Sequence, residues 1–427
     1  MSAAFDPATS KLHEECQQLA QRAKSASWQA GLISSASKDR WLNLLADTIL
    51  SKTPAILEAN RKDLQQESAQ YLTAALRERL RFDEKRIAEA AQGIRQVAAL
   101  PDPVRQIISG QTRPNGLQIR KIRVPLGVIF FLYESRPNVT LDAAALCVKS
   151  GNAVILRGGK EAQHTNRVLG ELIRESLKSC GISEEVVQLV QTTDRQAVDI
   201  LLKMPEQIDL VIPRGGEGLI RKVTETTRIP VLKHFLGNCH VYVHESADLE
   251  MAERIVVNAK CQRPSVCNAM ESLLVDRAIA PDFLPRIDKA LTERGVELRA
   301  CEVSQTYLKK SLLANESDFA AEFCDLILSI KTVCSFDEAI SHINRYGSHH
   351  TDAIVTSELK AAQRFQREID SAAVVVNAST RFNDGFELGL GAEIGISTDK
   401  LHARGPCGLE ELTSYKYLVI GEGHVRE

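Results

Sequence analysis

The chain has 427 residues, 44% of them hydrophobic and 5% aromatic, and its 53 lysines and arginines nearly cancel 55 aspartates and glutamates, for a net charge of −2. That much apolar material fills more than one core and excludes a disordered chain. The balanced charge and scarce aromatics offer neither the basic field nor the stacking platform of a nucleic-acid binder, so no such partner is expected. Ten cysteines are scattered without a Cys-x-x-Cys pair or zinc-finger spacing, and the N-terminus lacks the apolar run of a signal peptide. The longest apolar runs, such as Val128 to Tyr133, are far too short for a bilayer, so no membrane partner is expected either. The expectation is a soluble cytoplasmic protein with reduced thiols, most of them small buried hydrophobes.

Residues 1 to about 107 read as helices. Trp41, Leu42, Leu45, Ile49 and Leu50 keep a 3.6-residue stripe that Asp39, Arg40, Asn43 and Asp47 avoid. From Leu117 to Val124 apolar and basic residues mix as in a half-exposed strand. Pro125-Leu126-Gly127 then turns, and Val128 to Tyr133 is a run buried on both faces. A helix at 141–148, a strand at 153–156, a helix at 165–177, a strand at 186–190, a helix at 197–204 and a strand at 210–212 follow. This alternation predicts a parallel, doubly wound α/β sheet, which binds ligands beyond the carboxyl ends of its strands. A second α/β run starts at Cys239. Its strands fall near 241–243, 272–275, 326–328, 353–355 and 373–376, its helices near 249–259, 281–294 and 358–369, and a last strand occupies 415–420. No linker rich in Ser, Pro or Gly separates the two runs, so they are expected to meet at a cleft.

Four constellations carry chemistry. No Gly-x-Gly-x-x-Gly occurs, since Gly389 to Gly395 is one residue out of register. Instead Arg157-Gly158-Gly159-Lys160 and Arg214-Gly215-Gly216 are glycine turns between a strand and a helix, where backbone N–H groups and a cation favour an anion. Cys267 ends a polar turn before a buried strand. Arg263 would favour its thiolate and backbone N–H groups after it would hold an oxyanion, while an inert core cysteine is the equal alternative. Glu134-Ser135-Arg136-Pro137-Asn138 closes the strand 128–133, either as polar lining of the cleft or as an ordinary turn with Asn138 as a helix cap. His349 and His350 are adjacent, point to different sides and lack further ligands at useful spacing. They read as a hydrogen-bonded turn rather than a metal site.

The order VPLGVIFFLYESRPNVT, SGNAVILRGG, the glycine turn after Ile212, and a cysteine eight residues before the end of a strand resembles the aldehyde dehydrogenase superfamily. The similarity runs almost the whole length, and VCSFDEAISHINRYGSHHTDAI, KCQRPSVCNA and ELGLGAEIGIST are its most specific pieces. The resemblance implies an aldehyde dehydrogenase-like α/β fold, with two doubly wound α/β domains facing a cleft plus a small β oligomerisation arm. An NADPH-binding domain takes 1–116 and 127–238, a catalytic domain 239–375 and the arm 117–126 and 405–427, with 376–404 as a returning segment of open assignment. The implied activity is NADPH-dependent reduction of L-glutamate 5-phosphate to L-glutamate 5-semialdehyde, the second step of proline synthesis from glutamate, with Cys267 as nucleophile.

The residues transfer one at a time. Asn138 lies near the family's oxyanion asparagine. Arg157 matches a lysine that touches the adenosine ribose. Lys160 falls where NAD-preferring relatives carry a glutamate, so a cation there implies preference for NADP. Glu322 matches the glutamate that holds the nicotinamide ribose, and Arg214, Gly215, Gly216 and Gly237 complete the cofactor set. Ser135, Arg136 and Arg263 are the candidates for the charged glutamate head group. Phe235 stands where oxidative relatives carry a general-base glutamate, and an apolar ring there keeps water from a thioester. The strands 117–124 and 415–420 are implied to pair with a second copy, and an unpaired edge gives a physical reason for a homodimer or higher oligomer. Association with glutamate 5-kinase, which makes the acyl phosphate, is compatible with this reading, and no residue points to it. Two alternatives stand beside it. One is NAD(P)-dependent oxidation of a small aldehyde to the free acid, against which Phe235 speaks. The other is a non-catalytic binding protein, against which Cys267 and the cationic turns speak.

Overall fold

The structure, a computed structural model, describes residues 7–426. The chain divides into two compact units: the first runs to Lys233 and adds Leu390–Gly395 and Cys407 onward, and the second is His234–Gly389 with Ile396–Pro406. Residues 1–6 of the expected first range and residue 427 of the expected arm lie outside the described residues. Among the described residues no helix is long and apolar enough to cross a membrane.

The first unit opens with helices, the longest being Pro7–Ala30, Ser35–Ser51 and Glu84–Ala99. Ser34 starts the second by accepting the Ser37 N–H on its hydroxyl, which satisfies one of the orphan donors of the first turn. Trp41, Leu42, Leu45 and Ile49 are fully buried, as their spacing predicts, and Trp41 Nε1 donates to Ser176 Oγ at 3.0 Å. Leu50 departs from the expected stripe and is exposed, because it lies about 100° round the helix from Ile49. Then comes β1 (Ile107–Thr112), six exposed residues without alternation, which the reading of 1–107 as helical did not anticipate.

β2 (Gln118–Pro125) leads into β3 (Val128–Tyr133), whose six residues are all buried. β4 (Ala153–Arg157), β5 (Val187–Leu189) and β6 (Leu210–Arg214) complete a parallel sheet in the order β5-β4-β3-β6. Each large apolar side chain buried this way contributes roughly 1.5–3 kcal/mol. Asp209 anchors the start of β3 by accepting the Val128 N–H at 2.7 Å and Lys24 Nζ at 2.9 Å. The chain walks outward from β3 through β4 to β5, then returns to β6 on the other side of β3. The crevice of such a sheet opens at that reversal, beyond the carboxyl ends.

The second unit holds one parallel sheet of seven strands in the order β10-β9-β11-β8-β7-β12-β13. These are β7 (Cys239–Val243), β8 (Met270–Asp276), β9 (Glu297–Ala300), β10 (Leu312–Leu313), β11 (Ile327–Val333), β12 (Thr351–Val355) and β13 (Ala373–Val376). The five strands expected from the sequence are present. β9, β10 and the helix Phe336–Tyr346 are additional. Val241, Leu273, Ile330 and Ala353 pack from the sheet against Phe283, Leu284 and Ile287 of the helix Ala280–Thr292.

Two short strands, β14 (Gly395–Ser397) and β15 (Gly405–Cys407), precede β16 (Thr413–Ile420). β16 pairs antiparallel with β2 from Thr413↔Pro125 to Ile420↔Gln118, and β1 lies on the other side of β2. The strands implied to pair with a second copy, β2 and β16, pair instead with each other within one chain and form a separate sheet with β1. Ile107, Ile108, Tyr415, Tyr417, Val419 and Ile420 of this sheet are exposed.

Candidate active site

Cys267 sits in the turn 262–269, between the helix Leu249–Cys261 and the first residue of β8. It is half-buried. Its backbone touches the segment that enters β7: a methyl built on Gly237 would lie 2.1 Å from the Cys267 carbonyl oxygen. Cys239, the first residue of β7, donates its Sγ–H to that same oxygen at 3.2 Å and lies 3.7 Å from His350 Nδ1. Three buried amides lock the surroundings. Asn238 Nδ2 donates to Phe319 O (2.8 Å) and Tyr346 O (2.9 Å). Asn268 Nδ2 donates to Asn383 O (3.0 Å) and Arg381 O (3.4 Å). Asn383 Nδ2 donates to Thr351 Oγ1 at 2.7 Å. Cys267 is thus gathered at the amino ends of β7, β8 and β12. The carboxyl-end rule places the first unit's turns but not this thiol.

The neighbouring groups have separate protonation states. Burial, then the charges of Asp352 and Cys267, pushes the Cys239 thiol well up, so it stays a hydrogen-bond donor. Burial, reinforced by His234, pushes the fully buried His350 down to about 3. The paired histidines do different things: His349, with φ 59°, places Nδ1 2.6 Å from Asp370 O, and His350 places Nδ1 2.8 Å from Thr351 Oγ1. The Ala269 N–H is engaged by Val266 O at 3.0 Å and cannot serve as an oxyanion donor. Arg263 is exposed in the Cys267 turn. Phe235, 38% exposed, lies two residues before the Gly237 contact. Glu322 occupies the loop between the helix Glu316–Phe319 and β11, and its charge is one of those that raise the Glu271 carboxyl, after burial, to about 7.

In the first unit the two glycine turns lie at the carboxyl ends of β4 and β6, and they differ. At the first, Arg157 donates Nη2 to Thr193 O at 3.0 Å and Nη1 to Gly158 O. Lys160 is exposed at the start of the short 3-10 turn Lys160–Ala162. Gly158, Gly159, Gln163, Asn166, Thr192 and Thr193 line a cavity between the ends of β4 and β5. Gly158 has no room for a side chain, since a methyl would meet Asn166 Nδ2 at 2.1 Å.

The second turn meets a carboxylate of the protein. Gly216 N–H donates to Glu134 Oε2 at 3.2 Å, and Glu134 Cδ lies 2.6 Å from where a Gly215 methyl would stand. Arg214 Nη1 donates to Ile394 O at 2.9 Å. Of the donors expected to meet an anion here, the Gly216 N–H meets a carboxylate of the chain itself and Arg214 Nη1 meets a backbone carbonyl. Two other expectations change in the same region. Ser135 is 3% exposed, with φ 22°, and gives both its hydroxyl (2.6 Å) and its N–H (3.2 Å) to Glu161 Oε1, so it is not presented to a substrate. Asn138 is the first residue inside the helix Asn138–Lys149 rather than its cap, a place Pro137 takes, and its amide donates to Asp142 Oδ2 at 2.9 Å. Burial raises the Asp142 carboxyl to about 6, against the opposing pull of Arg214 and of that amide. Arg136 is half-buried beside it in sequence.

Cys239, Arg381 and Asn383 around the thiol, and Asn166 and Thr193 at the first turn, were not anticipated. The run Asn377-Ala-Ser-Thr-Arg-Phe-Asn-Asp384, polar and immediately after a strand, is the signal that would have marked two of them.

The chain was compared with known proteins. The family model described as the aldehyde dehydrogenase family matches residues 5–301. A γ-glutamyl phosphate reductase of Rhodopirellula baltica is 56% identical over 97% of this chain and 96% of its own length. One of Carboxydothermus hydrogenoformans is 55% identical over 97% and 100%. The crystal structure of a γ-glutamyl phosphate reductase from Thermotoga maritima superposes with a TM-score of 0.94 at 44% identity, covering 97% of this chain and 100% of that one.

Proposed function

The chain belongs to the aldehyde dehydrogenase family, it carries out γ-glutamyl phosphate reduction, an oxidoreductase step of proline biosynthesis, and we propose that it does so through a thioester on Cys267 with NADPH as reductant. The observation that carries this reading is the Cys267 turn, held against Gly237 and tied by Asn268 to the segment 381–383. A nucleophile must be positioned to within a fraction of an ångström, and buried amides supply that rigidity.

In the first half-reaction the Cys267 thiolate attacks the acyl carbon of L-glutamate 5-phosphate. The S–C bond forms, the C–O bond to phosphorus breaks, and phosphate leaves with the electron pair. Cys239, kept protonated by burial, donates to the Cys267 carbonyl and fixes the peptide from which the nucleophile projects. NADPH, when bound, would supply hydride to the thioester carbonyl carbon. The C–S bond then breaks, which frees the aldehyde and returns the Cys267 thiolate. Phe235, apolar where a general base would activate water, protects the thioester from hydrolysis and disfavours oxidation to the free acid.

The first unit suits a phosphorylated nicotinamide cofactor at one turn. Arg157 and the exposed Lys160 place two cations beside the small polar pocket at the ends of β4 and β5, and they are the proposed contacts of the adenosine end and its 2′-phosphate. Glu322 is the proposed partner of the nicotinamide ribose. The exposed apolar face of the β1-β2-β16 sheet suits pairing with a second copy of the chain, which sedimentation equilibrium would read directly.

Reduction of NADP⁺ with glutamate semialdehyde, followed with and without inorganic phosphate, tests the reaction. Turnover should require phosphate and should vanish in Cys267→Ala. Phosphate-independent oxidation would favour the aldehyde-to-acid alternative instead. For the cofactor, Lys160→Glu should shift the ratio of catalytic efficiencies from NADPH toward NADH, and an unchanged ratio would remove Lys160 from the 2′-phosphate site.

A further inference from the structure

We propose that Arg381 and Arg263 form an anion subsite beside Cys267, which receives the phosphoryl group of the acyl phosphate and, in the reverse direction, inorganic phosphate. The proposal rests on Cys267 being the nucleophile. Arg381 belongs to the 3-10 turn Thr380–Phe382 and is tied to the Cys267 turn at two levels. Its carbonyl accepts the Asn268 amide at 3.4 Å, and its Nε donates to Gln262 Oε1 at 2.8 Å. Ser379 Oγ accepts its N–H at 3.3 Å. Arg263 is the next residue after Gln262 and stands four before Cys267. Arg381 therefore has its guanidinium on the turn that presents the thiol, and Arg263 is a residue of that turn.

The two arginines also differ from others in this unit. Arg299, Arg364 and Arg404 all meet carboxylates, with Asp318, Asp337 and Asp370 respectively. Among the described residues no carboxylate forms an ion pair with Arg381 or Arg263. Asp384, the nearest acid in sequence to Arg381, turns its Oδ1 to the N–H groups of Phe386 (3.0 Å) and Glu387 (3.4 Å). Burial and then the charge of Arg263 lower the Arg381 pKa, while Asp384, Cys267 and Cys239 pull the other way. A half-buried guanidinium facing a second cation is unfavourable until an anion arrives.

The chemistry selects phosphate. A guanidinium fork matches phosphate oxygens, and two forks match its two charges. As the C–O bond breaks, negative charge gathers on the departing oxygen, and fixed cations at that point lower the barrier. In reverse, bound phosphate attacks the Cys267 thioester, the C–S bond breaks, and the thiolate leaves.

Arg381→Gln, Arg263→Gln and Arg381→Lys are compared with wild type in the aldehyde-oxidising direction. Two readings are taken: the steady-state KM values for phosphate, aldehyde and NADP⁺, and the phosphate-free burst of NADPH that reports thioester formation. Each Gln variant should raise the phosphate KM by about 10–100-fold, the size of one lost charge-assisted hydrogen bond. The other KM values should stay within about twofold and the burst near one NADPH per chain, because hydride transfer precedes phosphate attack. Arg381→Lys should recover part of the loss. An unaltered phosphate KM overturns the proposal. So does a rise confined to the aldehyde KM, which would assign the arginines to the substrate's carboxylate, and so does loss of the burst, which would make Arg381 a support of the Cys267 turn. Absence of phosphate dependence in the wild type would instead sink the functional reading itself.

Discussion

An alanine at Gly237 would set its methyl 2.1 Å from the Cys267 carbonyl oxygen, 2.6 Å from Cα and 2.7 Å from the carbonyl carbon. Ordinary contact begins at 3.4 Å, so the two backbones would have to part by about 1.3 Å. Neither can yield freely. The Gly237 side continues into Asn238, whose amide holds Phe319 O and Tyr346 O, and the Cys267 side continues into Asn268, whose amide holds Asn383 O and Arg381 O. All the atoms in collision are backbone, so no rotamer change relieves the clash. A displacement of about 1 Å at a reacting group costs about 10²-fold in rate, equivalent to about 2.7 kcal/mol of barrier. Gly237→Ala should therefore lower kcat/KM of the phosphate-dependent reduction of NADP⁺ by that order. A thermal melt run beside the assay would separate displacement from unfolding. A folded Gly237→Ala protein with kcat/KM within about threefold of wild type would refute the reasoning, because a loss under 1 kcal/mol is too small for the movement the contact demands.

Three further outcomes are expected. Burial, aided by His240 for His342 and by His234 for His350, lowers both imidazoles to about 3. The unfolded chain protonates them near 6.5, so between those values it binds more protons, and stability falls as pH drops through that window by about 1.4 kcal/mol per unit per histidine. Urea melts at pH 7 and pH 5 should show this, with a smaller drop in His342→Phe, and equal drops in the two proteins would contradict it. Lys260 and Glu271 form a fully buried ion pair. Lys260→Met should destabilise by about 3–5 kcal/mol by stranding the carboxylate, and Lys260→Met with Glu271→Leu by much less. Additive losses in a denaturant melt would argue against that coupling. Finally, Cys16, Cys147, Cys239 and Cys407 are buried while Cys324 and Cys334 are exposed. Native iodoacetamide labelling mapped by mass spectrometry should reach the exposed pair and Cys267 first, and early labelling of Cys239 would show that its environment has been misjudged.

Much of the framework was legible along the chain. Val128–Tyr133 announces a strand covered on both sides, and β3 occupies those six residues. The strands at 117–124 and 415–420 were legible as strands but their partner was not, since they pair with each other rather than with a second copy. β1 was not legible, because Ile-Ile-Ser-Gly-Gln-Thr carries no alternation and only its partner β2 makes it a strand. The glycine turns show the same boundary. Both read as anion sites, and neither reading could foresee the carboxylates beside them: Glu161 against Gly159 at the first, and Glu134, some 80 residues away in sequence, at the second.

Elements and their buried faces can be read locally because burial acts on each residue where it stands, and its rhythm of 2 or 3.6 survives in the order of the amino acids. The polar turn of Cys267 and the strand after it were readable in that way, and made it a candidate with an inert core cysteine as the equal alternative. Its surroundings were not readable. Gly237, Cys239, Thr351, Arg381 and Asn383 reach it from segments up to more than 100 residues away, brought together by a sheet whose spatial order differs from its chain order. Hydrogen bonds and ion pairs depend on partners meeting at about 3 Å, and no local pattern records which distant partner that will be. The long parallel crossovers of this fold settle that choice, and with it which donors of each turn meet a partner within the protein.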